Sequence, residues 1–436
     1  MIAWAVFLCV LPFPALPLYW LIGESSHGGY LERREQVRLK TREREQRVGC
    51  SLESYRTDSP YFSLAEKLTG LVPTGSNHVE LYTENERAFQ AILHSIEKAE
   101  AYVLAQFYVI REDGAGREFL DTLEAAAQRG VRVYLYLDPL ESSLSQERRE
   151  RLKEAGVEVA EHQPGKGGID PLSGNFRNHR KLVVVDGSRC LLGGMNIGDN
   201  YLSRIEELSP WNDLFLKLEG PAVLNTQLSF LRDYLAATGC EPECCWEASV
   251  PERTNARVAV FPTDPADTWD ACGLAFTSAI TGAKERVVLA SPYFLPDEKG
   301  RAALQIASLG GVRVQVLRPH KTMVKTADVA AWHFIEELLP GGVEFYRQPE
   351  GLLHKKLLLI DSDLVMIGSA NFDYRSFHLN HELFLWIESP EIVSQVEEML
   401  EEDLSSFARV EADDLEKRGD LERIMSEAAS LATPLL

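Results

Sequence analysis

The chain has 436 residues, 45% hydrophobic and 25% charged, the balance of a globular protein of two or three domains rather than a disordered or fibrous one. Its formal net charge of −21 means that overall charge attracts neither nucleic acid nor an anionic membrane. An anionic substrate therefore has to be held by lysines and arginines gathered inside a site.

In chain order, residues 1–22 carry no charge, enough to cross about 30 Å of hydrocarbon as a helix. Pro12, Pro14 and Pro17 are better tolerated in a bilayer helix than in a soluble one, and Tyr19 and Trp20 suit its interface. A cleaved signal peptide is the rival, but the stretch lacks a basic leader and a small-x-small cleavage site. Residues 23–60 read as a basic juxtamembrane linker. Arg33, Arg34, Arg38, Lys40, Arg42, Arg44 and Arg47 place the remainder of the chain on the cytoplasmic side. Those side chains either touch anionic headgroups or, interleaved with Glu32, Glu35, Glu43 and Glu45, line a solvated helix.

The body repeats itself. AYVLAQFYVIRED, RGVRVYLYLDP, NHRKLVVVDG, GGMN and NDLFLKL recur as ERVVLASPYFLPDE, GGVRVQVLRP, LHKKLLLIDS, GSAN and HELFLWI. His179 matches His354 and Asn196 matches Asn371, both 175 positions on, and Asp213 matches Glu382, 169 on. Short apolar runs alternating with helical stretches predict an α/β fold of two lobes, residues 61–240 and 250–436. Each is expected to be a mostly parallel mixed sheet flanked by helices, the second followed by acidic C-terminal helices. The junction is the turn-rich TGCEPECCWEASVPERTNA. Seven cysteines, odd in number and irregular in spacing, argue against a disulfide framework. The cluster Cys240, Cys244 and Cys245 lacks a fourth ligand, so no metal site is expected.

The chemistry-bearing motif is His-x-Lys-x-x-x-x-Asp, present twice: His179, Lys181, Asp186 and His354, Lys356, Asp361. On a strand, positions i and i+2 share a face, so each His lies beside its Lys, whereas the Asp falls on the other face near the strand end. The Asp is thus better placed to fix backbone than to touch substrate. Displacement at phosphorus needs these residue types. A lysine from each lobe neutralises non-bridging oxygens, while Asn196, Asn371 and Ser369 donate hydrogen bonds to phosphate. Two histidines divide the remaining work, one attacking and one protonating the leaving alcohol. Asp213 and Glu382 are candidates to orient the imidazoles. Tyr108 and Tyr293 read as core residues and His333, His378 and His381 as structural ones, with Arg375 a further phosphate candidate.

At these residues the sequence resembles the phospholipase D superfamily and, along nearly the whole chain, its bacterial cardiolipin synthases. RNHRKLVVVDG, GGMNIGDNY, SPYFLPDE, GSANFDYRSFHLNHE and the closing ATPLL are similar to that family's blocks. The resemblance implies a metal-free and cofactor-free phosphatidyl transferase that joins two phosphatidylglycerol molecules into cardiolipin and glycerol. It implies phosphatidylglycerol and other anionic phospholipids as partners. With the one apolar segment, its basic flank and the net charge of −21, a single-pass protein of the bacterial inner membrane with cytoplasmic catalytic lobes and no nucleic-acid partner is expected. The motif His, Lys and Asp residues form its catalytic set. By the same analogy His179 is the nucleophile and His354 the general acid, although the sequence does not order them, nor does it give the oligomeric state. A phosphodiester hydrolase acting on phospholipid or nucleic acid is the alternative. The sequence departs from the family in showing one apolar span where two are common, and in having Gly194 where the second lobe has Ser369.

Overall fold

Short connections decide the architecture. Asp186-Gly187-Ser188 is all that separates two apolar runs, so these strands pair as an antiparallel hairpin rather than through a crossover. Asp186 and Gly187 both take positive φ, 52° and 64°, at this turn. The computed structural model describes residues 28–163 and 175–433, so the apolar segment at residues 1–22 lies outside the described residues. No helix among the described residues is long and apolar enough to cross a membrane.

The first half carries strands β1 (Thr74–Tyr82), β2 (Tyr102–Phe107), β3 (Arg132–Leu137), β4 (Val157–Glu161), β5 (Arg177–Asn178), β6 (Leu182–Val185), β7 (Arg189–Gly193), β8 (Trp211–Asn212) and β9 (Phe215–Glu219). The second carries β10 (Ala256–Thr263), β11 (Arg286–Ala290), β12 (Phe294–Leu295), β13 (Arg313–Pro319), β14 (Glu344–Gln348), β15 (Leu352–Leu353), β16 (Leu357–Ile360), β17 (Leu364–Gly368), β18 (Phe372–Asp373), β19 (Asn380–Glu388) and β20 (Ala408–Arg409). The order β1-β9-β7-β6-β2-β3-β4 of the first half is repeated as β10-β19-β17-β16-β11-β13-β14 in the second. The β1–β10 pair joins the two halves edge to edge.

The expectation of mostly parallel sheets is corrected: each half is mixed, with antiparallel pairs in the majority. The short pairs β12–β18, β5–β19 and β8–β15 are parallel. Within the repeated strand order, pairing is antiparallel except along β2-β3-β4 and β11-β13-β14, where it is parallel. There, helices Gly114–Gln128, Gln146–Ala155, Glu298–Leu309 and Lys325–Leu338 provide the crossovers that parallel neighbours require. Between β6 and β7, and between β16 and β17, the three-residue links leave no room for one.

Strand alternation divides the core. Tyr102 and Leu104 of β2 face a shared interior with Leu357 and Leu359 of β16, together with Val223 and Phe230 from helix Val223–Thr238 and Val396 from helix Pro390–Ser406. Val103, Ala105 and Phe107 face the outer helices of the first half, and Leu358 and Ile360 those of the second. Burial of one such side chain stabilises by about 1.5–3 kcal/mol, so the shared interior locks the halves together and fixes the cleft between them.

The stretch read from the sequence as a basic linker is largely a helix, Gly28–Leu52, packed on the body through Val48 and Leu52 against Leu224, Leu228 and Leu231. Its arginines engage protein carboxylates: Arg34 meets Asp233 and Asp264, Arg38 meets Asp267, Arg44 meets Glu241 and Arg47 meets Glu43. These contacts favour the structural role over headgroup binding for those four side chains.

Candidate active site

Each motif histidine enters the site just before its strand, and a strand of the opposite half fixes its backbone. β5 lies parallel to the start of β19, and the His179 amide donates to the His381 carbonyl at 3.0 Å. β15 lies parallel to β8, and the His354 amide donates to the Asn212 carbonyl at 2.7 Å. The next residue on each partner strand is a carboxylate. Consequently Nδ1 of His179 donates to Glu382, 3.0 Å to both oxygens, and Nδ1 of His354 donates to Asp213 at 2.5 Å. Because a carboxylate only accepts, both imidazoles are held with the proton on Nδ1 and Nε2 unprotonated; Nε2 of His354 lies 3.2 Å from Lys356 Nζ. Both histidine side chains are 12% exposed, while Asp213 and Glu382 are buried.

The lysines sit as the i, i+2 spacing predicts. Lys181 donates to the His179 carbonyl at 2.6 Å and Lys356 to the His354 carbonyl at 2.5 Å. Lys356 Nζ stands 3.9 Å from the Asp213 carboxylate. Tyr108, expected as a core residue, faces the site: its ring lies 5.1 Å from that of His179, with Lys181 Nζ 5.4 Å from the ring centre. Trp211 packs against His354 at 4.9 Å.

Glu382 is held more elaborately than Asp213. Ser369 donates to it at 2.5 Å, Ser376 at 2.9 Å and Asn380 at 3.2 Å. Ser369, expected on the phosphate, is therefore committed to the carboxylate. In the first half Gly194 takes this position, where a Cβ would come within 2.1 Å of Asp213 Oδ1. The Gly194/Ser369 difference thus matches the shorter and longer carboxylates. Asn196 accepts from the Val109 amide at 3.1 Å. The Asn371 side chain donates to Asp373 at 3.1 Å, and its carbonyl oxygen is buried without a partner among the described residues. Arg375 reaches Asn175 rather than an open phosphate position.

Asp186 and Asp361 are not brought to the histidines. Asp186 accepts from the amides of Glu100, Ala101 and Tyr102, and Asp361 from those of Lys284, Glu285 and Arg286. Each ties the turn after its motif strand to the start of the neighbouring strand, as alternation along the strand requires. The sequence reading missed Ser376, Asn380 and Arg180. Arg180, buried between the motif His and Lys, donates to the Glu382 and Thr263 carbonyls at 3.0 and 2.7 Å and to Asp233 at 2.6 Å. Its place at the x of His-x-Lys, pointing away from the site, was the available signal.

Burial, reinforced by the neighbouring lysines and opposed by the carboxylates, holds His179 and His354 down to about 4. Burial likewise pushes Lys356 down to about 8 and Lys181 well below the ordinary lysine range. Burial would raise Glu382, but His179, Lys181 and Ser369 outweigh it and hold it at about 2. The free site thus gathers two imidazoles held neutral near pH 7, two carboxylates and two lysines.

Among the described residues, Asp270, Asp297 and His378 could jointly hold a metal ion. They lie outside this cleft; Asp270 and Asp297 cap helices Ala271–Gly282 and Glu298–Leu309, and Lys299 bonds Asp270.

The cardiolipin synthase, PLD-like domain family matches residues 92–211 and 276–404. Cardiolipin synthase A of Pseudomonas entomophila strain L48 is 35% identical over all of this chain and 92% of its own length. That of Pseudomonas aeruginosa strain LESB58 is 34% identical over all of this chain and 90% of its own. The fold is similar to the crystal structure of phosphatidylserine synthase from Haemophilus influenzae Rd KW20, with a TM-score of 0.65 and 15% identity over 87% of this chain and 100% of that one. From the family match over both halves and from relatives aligned along its full length, the chain belongs to the cardiolipin synthase family of phospholipase D-like proteins.

Proposed function

We propose that the protein transfers a phosphatidyl group from one phosphatidylglycerol to the glycerol hydroxyl of a second, forming cardiolipin and releasing glycerol through a phosphohistidine. The observation that carries this reading is the pair of imidazoles, each held through Nδ1 by a buried carboxylate and each beside its motif lysine. Nε2 of His179 attacks phosphorus, the bond to the headgroup glycerol oxygen breaks, and His354 delivers a proton to that oxygen. Neutral His354 then takes the proton from the second phosphatidylglycerol's hydroxyl as that oxygen attacks, and the P–N bond breaks. Lys181 and Lys356 balance the charge on the non-bridging oxygens. Asp213 and Glu382 orient the rings, while Asp186 and Asp361 hold the strands that carry them. Asn196 and Asn371 face phosphate only after local rearrangement of their present hydrogen bonds.

The setting is a bacterial inner membrane, with the apolar N-terminal segment as anchor and the catalytic halves on the cytoplasmic side. Incubation of the full chain with phosphatidylglycerol vesicles is expected to yield cardiolipin and glycerol in equal amounts. Phosphatidic acid as the main product would instead establish the hydrolase reading.

His354 is neutral in the free site and must carry a proton when it acts, so the anion has to bring that proton in. A phosphoryl anion beside both rings raises their pKa, and binding at pH 7 is expected to take up close to one proton. Inorganic phosphate is the probe, with calorimetry in buffers of different ionisation enthalpy as the measurement. Affinity should fall as pH rises through about 8, where Lys356 loses its charge. Binding with no proton uptake would contradict the division of labour between the histidines.

A further inference from the structure

The loop that leaves β13, residues 320–325, has the composition of a membrane contact and lies at the mouth of the site. Ala290 of β11 pairs with Leu357 of β16 and with Leu317 of β13. The motif lysine next to Leu357 and the loop following β13 are therefore at one end of the sheet. The amide of His320 donates to the Gln348 carbonyl at 3.0 Å, and Gln348 accepts from the side chain of Asn212 at 3.0 Å. Asn212 adjoins Asp213, the partner of His354, so the loop is two hydrogen bonds and one residue from the catalytic pair.

Its sequence, His320-Lys321-Thr322-Met323-Val324-Lys325, puts two exposed apolar side chains between two exposed lysines, with Met323 52% exposed. Neither lysine is paired with a carboxylate among the described residues. In a chain of net charge −21, such a segment is set apart from the rest of the surface. Other apolar side chains are exposed at the same end. Leu140, 68% exposed, follows β3, and Trp269, 60% exposed, follows β10, whose Thr263 pairs with Glu382. Ile205 is exposed on the segment leading to Trp211. Glu141, Glu206 and Glu207 flank Leu140 and Ile205, so the electrostatic attraction is confined to the loop after β13. The described chain also begins at this end, where the Tyr30 hydroxyl lies 2.7 Å from His381 Nε2.

We propose that residues 320–325 dock on an anionic lipid bilayer, with Met323 and Val324 entering the acyl boundary and Lys321 and Lys325 meeting headgroup phosphates. This rests on the phosphatidyl-transfer reading and adds a direction to it: the phospholipid enters from the His354 side. The loop's two apolar groups and two charges are the usual pairing of interfacial segments, and Trp269 suits the interface beside them.

The test uses the full chain in nanodiscs. Amides of residues 320–326 are expected to exchange more slowly in phosphatidylglycerol discs than in phosphatidylcholine discs or in detergent. The double variant Met323→Asp/Val324→Asp should lose that protection. Its turnover of bilayer phosphatidylglycerol should fall about tenfold, while turnover of a detergent-dispersed short-chain phosphatidylglycerol stays within about twofold of the parent. Equal exchange in both disc types overturns the proposal, as does an equal loss on both substrates. Protection in detergent that grows with protein concentration would assign the surface to a second copy of the chain and overturn it too. Failure of the parent protein to act on either substrate would instead remove the phosphatidyl-transfer reading, while the exchange result still reports on docking.

Discussion

Replacing His179 by Ala is expected to abolish cardiolipin formation, lowering turnover by at least about ten-thousandfold, and to eliminate any phosphohistidine trapped with labelled phosphatidylglycerol. The variant removes the Nε2 that attacks phosphorus, a nitrogen left unprotonated by the hydrogen bond from Nδ1 to Glu382. His354→Ala should be less severe, about a hundredfold to ten-thousandfold, because a general acid contributes in proportion to how badly the leaving group needs a proton. A phosphodiester with a nitrophenol leaving group separates the two. His354→Ala should still release a burst of nitrophenolate with it and His179→Ala should release none. The reverse pattern would exchange the two roles. Similar rates in all three proteins would show that neither histidine performs the chemistry.

Asp233→Ala is expected to produce the largest loss of stability, about 3–5 kcal/mol, because it strands charges in a region water does not reach. The Asp233 side chain is buried and accepts from Arg34, Arg180, Gln106 and Asn178. Although burial opposes it, the guanidiniums of Arg180 and Arg34 hold its carboxyl well below the usual range. Arg34 retains Asp264, but Arg180 loses its one carboxylate partner among the described residues while remaining 1% exposed. Chemical unfolding reads the effect, and Asp233→Asn should fall between the parent and the alanine variant because it keeps one accepting oxygen while losing the other and the charge. Since Arg180 also holds the Glu382 carbonyl, turnover should fall in both variants. A midpoint unchanged by Asp233→Ala would show that the network contributes nothing net.

Arg180 also shows why the site was only partly legible in the sequence. The types and spacing of the duplicated motif point to phosphoryl chemistry, because alternation on a strand puts His and Lys on one face whatever surrounds them. The same alternation turns Asp186 and Asp361 toward the backbone of neighbouring strands. Alternation equally turns Arg180 inward, but what it meets there, Asp233 from helix Val223–Thr238, depends on a contact between positions 53 residues apart. Ser369 looked like a phosphate donor because its hydroxyl sits in GSAN beside Asn371, yet the longer Glu382 reaches back and takes its hydrogen bond. Gly194 is conversely a glycine because the shorter Asp213 fills the space a side chain would need.

Strand direction failed for a related reason. Apolar runs separated by helices suggested parallel sheets, and that holds wherever a helix intervenes. The motif strand itself is followed by a three-residue turn, Asp186-Gly187-Ser188 in one half and Asp361-Ser362-Asp363 in the other, and no crossover fits in that length. The basic stretch before the body offered a choice between lipid and protein partners; Asp233, Asp264 and Asp267, remote in sequence, decide it for Arg34 and Arg38.

By itself, the sequence determined that there are two related halves, that each brings one histidine and one lysine, and that Asp213 and Glu382 are candidates to orient the imidazoles. These follow from local periodicity and internal repetition, which need no knowledge of what packs where. Only the tertiary structure decided that the carboxylate for each histidine comes from the opposite half. That exchange depends on β5 joining β19 and β15 joining β8 across the interface. It is a property of how two buried sheets share one interior, and it makes each half incomplete without the other.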